Sequence, residues 1–481
     1  MENSLELIEI TPWCWEIPKT GSMRVPGRVF ADRNLVEIAA QEKALEQVSN
    51  VACLPGIVTA SLAMPDIHWG YGFAIGGVAA FRMDDGVISP GGVGYDIACG
   101  VRLIRSNLNI HDVRAHVPDL IHELSRMIPA GVGRGGDIKF NRREMDQLIT
   151  KGVPWLTEKG YGWHNDIDAI EDGGVFEGAD PELLSLRARE RGFSQSGTLG
   201  AGNHFIEVQR VEKIFDEKAA AAFGIFEDQL CLMVHSGSRG LGHQICTEYA
   251  KKMVGVAVRA GIDLPDRQLA CAPINSREGK DYYATMACAV NFARANRQVM
   301  THLVRRSFEY IFKTSAEALG LDLVYDISHN MARFEEHEVG GEKLKLCVHR
   351  KGATRSLPAG HPDVPNIYRA AGQPVIVPGD MGTASYLLKG TEKALTESFG
   401  STCHGAGRVL GRRAAKKLIQ GHELKSRLEM QGITVMAGHP STLAEEAPEA
   451  YKDIDRVVEV CHKAGLSEKV ARLTPLGVIK G

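Results

Sequence analysis

Four short apolar runs, DQLCLMVHSGSRG, LDLVYDISHN, LKLCVHRKG and QPVIVPGDMG, each stop abruptly in polar and glycine residues. Runs of this kind, closed by turn formers, read as buried strands of about four to six residues that end in loops. Between them lie stretches of helical period at Asn34–Leu54, His243–Gly261, Tyr282–Phe312 and Gly407–Gly421. The interleaving predicts an α+β chain, with mixed β-sheets flanked by helices and functional groups on strand-end loops. No Pro/Ser-rich linker, low-complexity tract or fixed-period repeat divides the 481 residues, so 1–481 is read as one large domain. With 44% hydrophobic residues there is ample material for its core.

Charge narrows the partners. A formal net charge of −3 carries no global nucleic-acid signature, so an anionic polymer must be held by a local basic patch. The N-terminal MENSLELIEITPWCWEIPK lacks a basic start followed by an apolar core, and no apolar run reaches the roughly eighteen residues of a membrane span. A cytoplasmic protein is expected. Ten cysteines are scattered without a C-x-x-C pair, which speaks against a zinc ribbon and against a disulfide framework.

The strand ends carry the chemistry. His235, His329 and His349 each follow an apolar run, GGVGYDIACGVRL offers Asp96 and Cys99 three apart, and GTLGAGNHFIE offers Asn203, His204 and Glu207. A single histidine after a strand more often makes a structural hydrogen bond than a metal bond. Five donors in similar glycine-rich settings, Asp96, Cys99, His204, His235 and His329, point instead to a transition-metal centre. A thiolate can bridge two divalent ions, and two ions suit an in-line displacement at phosphate. Near the C-terminus, SFGSTCHGAGRVLGRRAAKK sets His404 among glycines ahead of a basic run. Loop followed by helix N-terminus is a geometry suited to phosphate.

PDIHWGYGFAIGG, SPGGVGYDIACG, GAGNHFIE, VHSGSRGLGHQ, YDISHN, HRKGATR, PGDMGTASY and STCHGAGR occur together and in this order. Together they resemble the RtcB-type RNA ligases along essentially the whole chain. The resemblance implies a GTP- and manganese-dependent enzyme that joins RNA ending in a 2′,3′-cyclic phosphate or 3′-phosphate to RNA with a 5′-hydroxyl, in tRNA splicing and RNA repair. It implies two Mn2+ ions, one on Asp96, Cys99 and His204 and one on Cys99, His235 and His329. It makes His404 the nucleophile that takes guanylate from GTP; an imidazole, with an ordinary pKa near ~6.5, is largely unprotonated at neutral pH, as a nucleophile must be.

Nucleotide contacts implied by the resemblance fall on Asn203, His204, Phe205, Ile206 and Glu207, on His329 and Asn330, and on Pro378, Gly379, Asp380 and Met381. Ser385, the loop of His404, Gly405, Ala406 and Gly407, and the penultimate Lys480 complete them, with Tyr451 a candidate to stack on the purine. Glu207 can accept from guanine N1 and N2, a pairing that adenine does not offer. The family often has serine at Asp380, so whether that side chain touches the nucleotide is open. RNA phosphates are expected on Arg408 and Arg412, spaced i, i+4, with Arg413, Lys416 and Lys417 nearby. Arg239, Lys351 and Arg355 are further candidates, and His68 is placed near the reacting phosphate. An archease-type activator is the one partner protein that the resemblance brings in, without saying whether this chain needs it. Two rivals remain at this level: a metal-dependent phosphohydrolase or nuclease, which would leave His404 and Lys480 without a role, and a non-catalytic RNA-binding subunit, which would leave the full donor set without one.

Overall fold

In the computed structural model, which describes residues 5–481, the apolar runs form strands of two larger mixed sheets. An eight-stranded sheet runs in the order Leu323–Ser328, Gly100–Asn109, Gln229–Ser236, Phe205–Ile214, Ser467–Lys480, Ser385–Gly390 and Pro374–Val377, with Thr434–Ala437 paired in parallel to Ser467–Lys480. A seven-stranded sheet runs in the order Ile8–Thr11, Cys14–Ile17, Gly27–Phe30, Ser61–His68, Ile75–Arg82, Glu342–Lys351 and Asn330–Val339. Apart from Thr434–Ala437, only Gly27–Phe30 and Ser61–His68 pair in parallel among the described strands. The chain passes from one sheet to the other at His329, between Ser328 and Asn330. The expected α+β class therefore holds.

Two of the four runs extend beyond the expected length, to eight residues in Gln229–Ser236 and ten in Glu342–Lys351. The second extension moves His349 off a strand end and into a strand, between Ala332 and Ala79. There it accepts from the Ser89 amide at 3.1 Å with Phe73 and Phe81 against its ring. His349 is a core residue, and burial pushes its pKa down to about 3.

Helices differ from the sequence pattern where a left-handed residue or a glycine intervenes. Asn34–Leu54 divides into Arg33–Gln41 and Ala44–Val51 because Lys43 takes φ 60°. Gly407–Gly421 contributes only the helix Arg412–Leu418, so Arg408 lies in the preceding loop and shares no helical face with Arg412. Arg239–Arg259 and Arg277–Phe312, of 21 and 36 residues, are continuous as the pattern predicts but start before the expected His243 and Tyr282. None of the helices among the described residues is long and apolar enough to cross a membrane.

The 36-residue helix carries charge into the core. Arg297 and Arg102 both bind the carboxylate of Asp326, at 2.7 Å each, and all three side chains are 0% exposed. Deleting the shared anion strands two buried cations, a kind of change that costs ~3–5 kcal/mol. Asp326→Ala is expected to lower stability by about that amount, read from the denaturant midpoint. A midpoint equal to that of the parent chain would show that the guanidinium pair does not depend on Asp326.

Candidate active site

Antiparallel register assembles the centre. Gly100 pairs with Ser328 on one side and with Ser236 on the other, and Phe205 pairs with His235. Cys99 precedes Gly100, His329 follows Ser328 and His204 precedes Phe205, so residues from four strands meet at one end of the sheet. Lys480, paired with Phe205, reaches the same end. Asp96 joins through a tight turn in which the Cys99 amide donates to the Asp96 carbonyl at 3.1 Å and Ala98 takes φ 52°. Arg297 braces the turn by donating to the carbonyls of Ala98 at 3.0 Å and Ser236 at 2.8 Å. The Asn330 side chain donates through Nδ2 to the Asp96 carbonyl at 3.0 Å. Gly237 permits the close approach, since a Cβ there would stand 2.3 Å from Asp96 Oδ1.

Two donor sets result, Asp96 with Cys99 and His204, and Cys99 with His235 and His329, and within each the donor atoms lie within 4.8 Å of one another. Cys99 Sγ is 3.3 Å from His204 Nε2 and 3.2 Å from His235 Nε2, while His235 Nε2 and His329 Nε2 are 3.4 Å apart. His204 Nδ1 faces the Leu199 carbonyl at 3.0 Å, which orients the ring and sets Nε2 2.7 Å from Asp96 Oδ2. Burial holds His235 and His329 well below the ordinary histidine range, so their lone pairs stay free of protons. Burial opposes charge on Asp96 too, but His204 beside it brings its pKa to about 2. Burial and the Asp96 carboxylate push the Cys99 thiol well up, a balance that a divalent cation reverses. A carboxylate, a thiol and three imidazoles form a donor set that fits two transition-metal ions sharing one sulfur.

His404 stands beside these donors, its ring centroid 4.8 Å from that of His329. It follows the short strand Ser401–Cys403, and its backbone is gripped by a carboxylate that the sequence reading passed over. Asp66, 0% exposed, accepts through Oδ2 from the amides of His404 at 3.0 Å and Gly405 at 3.3 Å, and from His404 Nδ1 at 2.6 Å. One oxygen thus fixes the ring and its tautomer, leaving Nε2 as the nitrogen available for chemistry. The only signal for Asp66 in the sequence was a carboxylate inside the otherwise buried strand Ser61–His68. Of the loop glycines, Gly407 is the one that sterics require: at φ 75°, its Cβ would lie 2.3 Å from the Asp66 carbonyl. At Gly405 the nearest atom to a Cβ would be 3.4 Å away.

A cavity of about 330 Å³ opens onto His404. Its wall includes Asn203 and Phe205, His329 and Asn330, Pro378 to Met381, Gly405 to Gly407, Tyr451 and Lys480. Ile206, on the opposite face of its strand, is packed in the core, and Glu207 and Ser385 lie behind the wall, each 1% exposed. Gln209 links these two, donating to Glu207 at 2.8 Å and to Ser385 at 3.1 Å, and Ser385 accepts from the Gly379 amide at 3.3 Å. Burial raises the Glu207 pKa to about 8 against the pull of Gln209 and Lys480. Asp380 turns its carboxylate onto its own loop, accepting from the Gly382 amide and the Thr383 hydroxyl, both at 2.9 Å.

The basic candidates separate. His68 lines the cavity with Nδ1 donating to the Asp66 carbonyl at 2.9 Å, and burial pushes its pKa to about 3. Lys351 also lines it, but Nζ donates to the carbonyls of Tyr71 and, at 3.0 Å, Phe73, and burial brings its pKa to about 7. Arg239, with His204, lines an adjoining cavity of about 640 Å³, and Arg412 borders both. Arg408 and Arg412 pair with Glu446 at 3.0 and 3.2 Å, and the Tyr451 hydroxyl donates to the same carboxylate. Glu446, 1% exposed, is a second residue that the sequence reading missed. The Arg408 guanidinium lies 4.9 Å from the Tyr451 ring. Arg413, Lys416 and Lys417 are exposed on the short helix, Lys416 in an ion pair with Glu445. Arg355 does not face the site: it is 2% exposed and bonds Glu171 at 2.9 Å.

Residues 47–481 match the family model described as tRNA-splicing ligase RtcB. The tRNA-splicing ligase RtcB of Archaeoglobus fulgidus is 55% identical over 483 residues, and that of Thermococcus kodakarensis is 52% identical over 482, each alignment covering 100% of both chains. The tRNA-splicing ligase RtcB of Pyrobaculum aerophilum is 47% identical over 484 residues, again with 100% of both chains covered. Similarity this extensive takes in the strand-edge donors, the cavity and the His404 loop together, and by it the chain belongs to the tRNA-splicing ligase RtcB family.

Proposed function

We propose that the protein is a GTP-dependent ligase that joins RNA 2′,3′-cyclic phosphate or 3′-phosphate ends to 5′-hydroxyl ends, tRNA halves among them, with His404 as the carrier of the guanylate. The observation that carries this is the His404–Asp66 pair, set in the cavity wall beside two metal donor sets. A phosphohydrolase needs the donors; a histidine that Asp66 holds with Nε2 turned free beside them adds a nucleophile suited to a covalent intermediate.

In this mechanism Nε2 of His404 attacks the α-phosphorus of GTP, a P–N bond forms and pyrophosphate leaves. Asp66 keeps the proton on Nδ1 and stabilises the positive charge that the ring acquires. A cyclic end is first hydrolysed to the 3′-phosphate. An oxygen of that phosphate then attacks the guanylate phosphorus, the P–N bond breaks, and RNA(3′)pp(5′)G results. The 5′-hydroxyl attacks the activated RNA phosphorus and GMP leaves. Asp96, Cys99 and His204 would hold one divalent ion and Cys99, His235 and His329 the other, manganese by family resemblance, to neutralise charge developing on phosphate oxygens. Glu207 reads the guanine edge, drawn toward its ionised form by the N1 and N2 donors of the base. Arg239, Arg408 and Arg412 hold RNA phosphates. Residues 1–481 act as one domain, because both large sheets contribute to the one site.

Incubation with α-labelled GTP and manganese, followed by peptide mapping, tests the proposal: an acid-labile adduct on His404 is expected, and label on a lysine or no label would overturn it. Asp66→Asn gives a second measurement. It should slow guanylylation by up to about 10⁴-fold, the scale seen when a catalytic histidine loses its orienting carboxylate. KM for GTP should change little, because Asp66 faces the histidine and not the nucleotide. Guanylylation at the parent rate would remove Asp66 from the mechanism.

A further inference from the structure

Lys452 is 4% exposed, and its Nζ donates to the carbonyls of Ile67 and, at 3.2 Å, Pro65, the two residues that flank Asp66. Among the described strand pairings neither Pro65 nor Ile67 has a partner, because the ladder with Ile75–Arg82 skips from Ala63 to His68. The backbone amide of Lys452 donates to the Gly407 carbonyl at 2.9 Å, and the neighbouring Ala450 carbonyl accepts from Val409 at 2.8 Å. One residue therefore grips both the strand that carries Asp66 and the loop that carries His404. An ammonium is an expensive way to fill a buried space: burial lowers its pKa to about 8, against the pull of Asp66 and Glu42. Two carbonyls without strand partners and a nearby carboxylate account for it, since a cation beside a buried anion offsets part of the cost of burying both.

We propose that Lys452 is a positioning residue for guanylylation, clamping the carbonyls on either side of Asp66 to the His404 loop and so holding the Asp66 carboxylate against His404 Nδ1. This rests on His404 as the carrier of the guanylate. A methionine in place of Lys452 would fill similar space but leave the two carbonyls without a donor and let the strand shift; displacements of about 1 Å cost up to ~10²-fold in rate.

The test compares Lys452→Met, Asp66→Asn, their combination and His404→Ala as full-length, manganese-loaded proteins, in two assays. Lys452→Met is expected to lower the rate of protein guanylylation by about 10–100-fold with KM for GTP unchanged. It should seal RNA(3′)pp(5′)G, which needs no transfer from histidine, at the parent rate. The double variant should be no slower than Asp66→Asn alone, because Lys452 acts through that carboxylate. Unchanged guanylylation in Lys452→Met would overturn the proposal. So would equal losses in both assays, which would make Lys452 a support of the fold, or a double variant slower by the full product of the two effects. Label persisting in His404→Ala would instead show that the carrier residue was misassigned, an outcome separate from the others.

Discussion

His404→Ala is expected to form no protein-guanylate adduct and to ligate no RNA that ends in a 3′-phosphate, while still sealing RNA(3′)pp(5′)G. The adduct fails because Nε2 of His404, the proposed nucleophile, is gone; the Asp66 carboxylate, now facing an alanine, cannot replace it. Metal content should be unchanged, since His404 belongs to neither donor set although its ring lies 4.8 Å from that of His329. In the proposed mechanism the last step requires the 5′-hydroxyl, the activated phosphate and the ions, and draws nothing from His404. His329→Ala makes the contrasting control. It removes a donor from the set with Cys99 and His235 and should lose the sealing of pre-activated RNA as well. Sealing of RNA(3′)pp(5′)G by both variants, with manganese present, measures the difference. If folded, metal-loaded His404→Ala fails on this substrate, His404 does more than carry guanylate and the proposed division of labour is wrong.

Cys99→Ala should abolish guanylylation and sealing together, by at least ~10³-fold, because charge stabilisation at a transferring phosphoryl group supplies that scale of acceleration. Its sulfur stands 3.3 Å from His204 Nε2 and 3.2 Å from His235 Nε2, and it is the one residue common to both donor sets. Loss of one thiol therefore weakens two sites at once, and metal analysis of the purified variant should find both depleted. Unfolding is not the cause to be expected: trimming a side chain by one atom in a packed interior costs roughly 1 kcal/mol. Two bound ions at full occupancy in an active Cys99→Ala enzyme would refute the sharing of that sulfur.

Much of the centre was legible in the order of residues. His235 and His329 sit where apolar runs give way to glycine and polar residues, and that local alternation is enough to predict both the strand and the group at its end. The glycines around His404 announced a close approach, and the donor types alone pointed to a transition metal. Other assignments were not local. His349 has the same sequence context as His235, yet its strand continues to Lys351 and closes the ring into the core. Arg355 lies in a basic motif but is spent on a buried carboxylate. The helix expected from Gly407 begins only at Arg412, which takes Arg408 off the basic stripe and onto Glu446. Asp66 meets His404 across 338 residues, and Lys452 reaches the same strand across 387 and 385. The order of residues supplied the chemical groups and set them at strand ends, because period and turn chemistry act over a few residues. Which groups meet, and which are consumed by the core, depends on the folded chain, because ladder register and the burial of charge join residues whose separation along the chain carries no local signal.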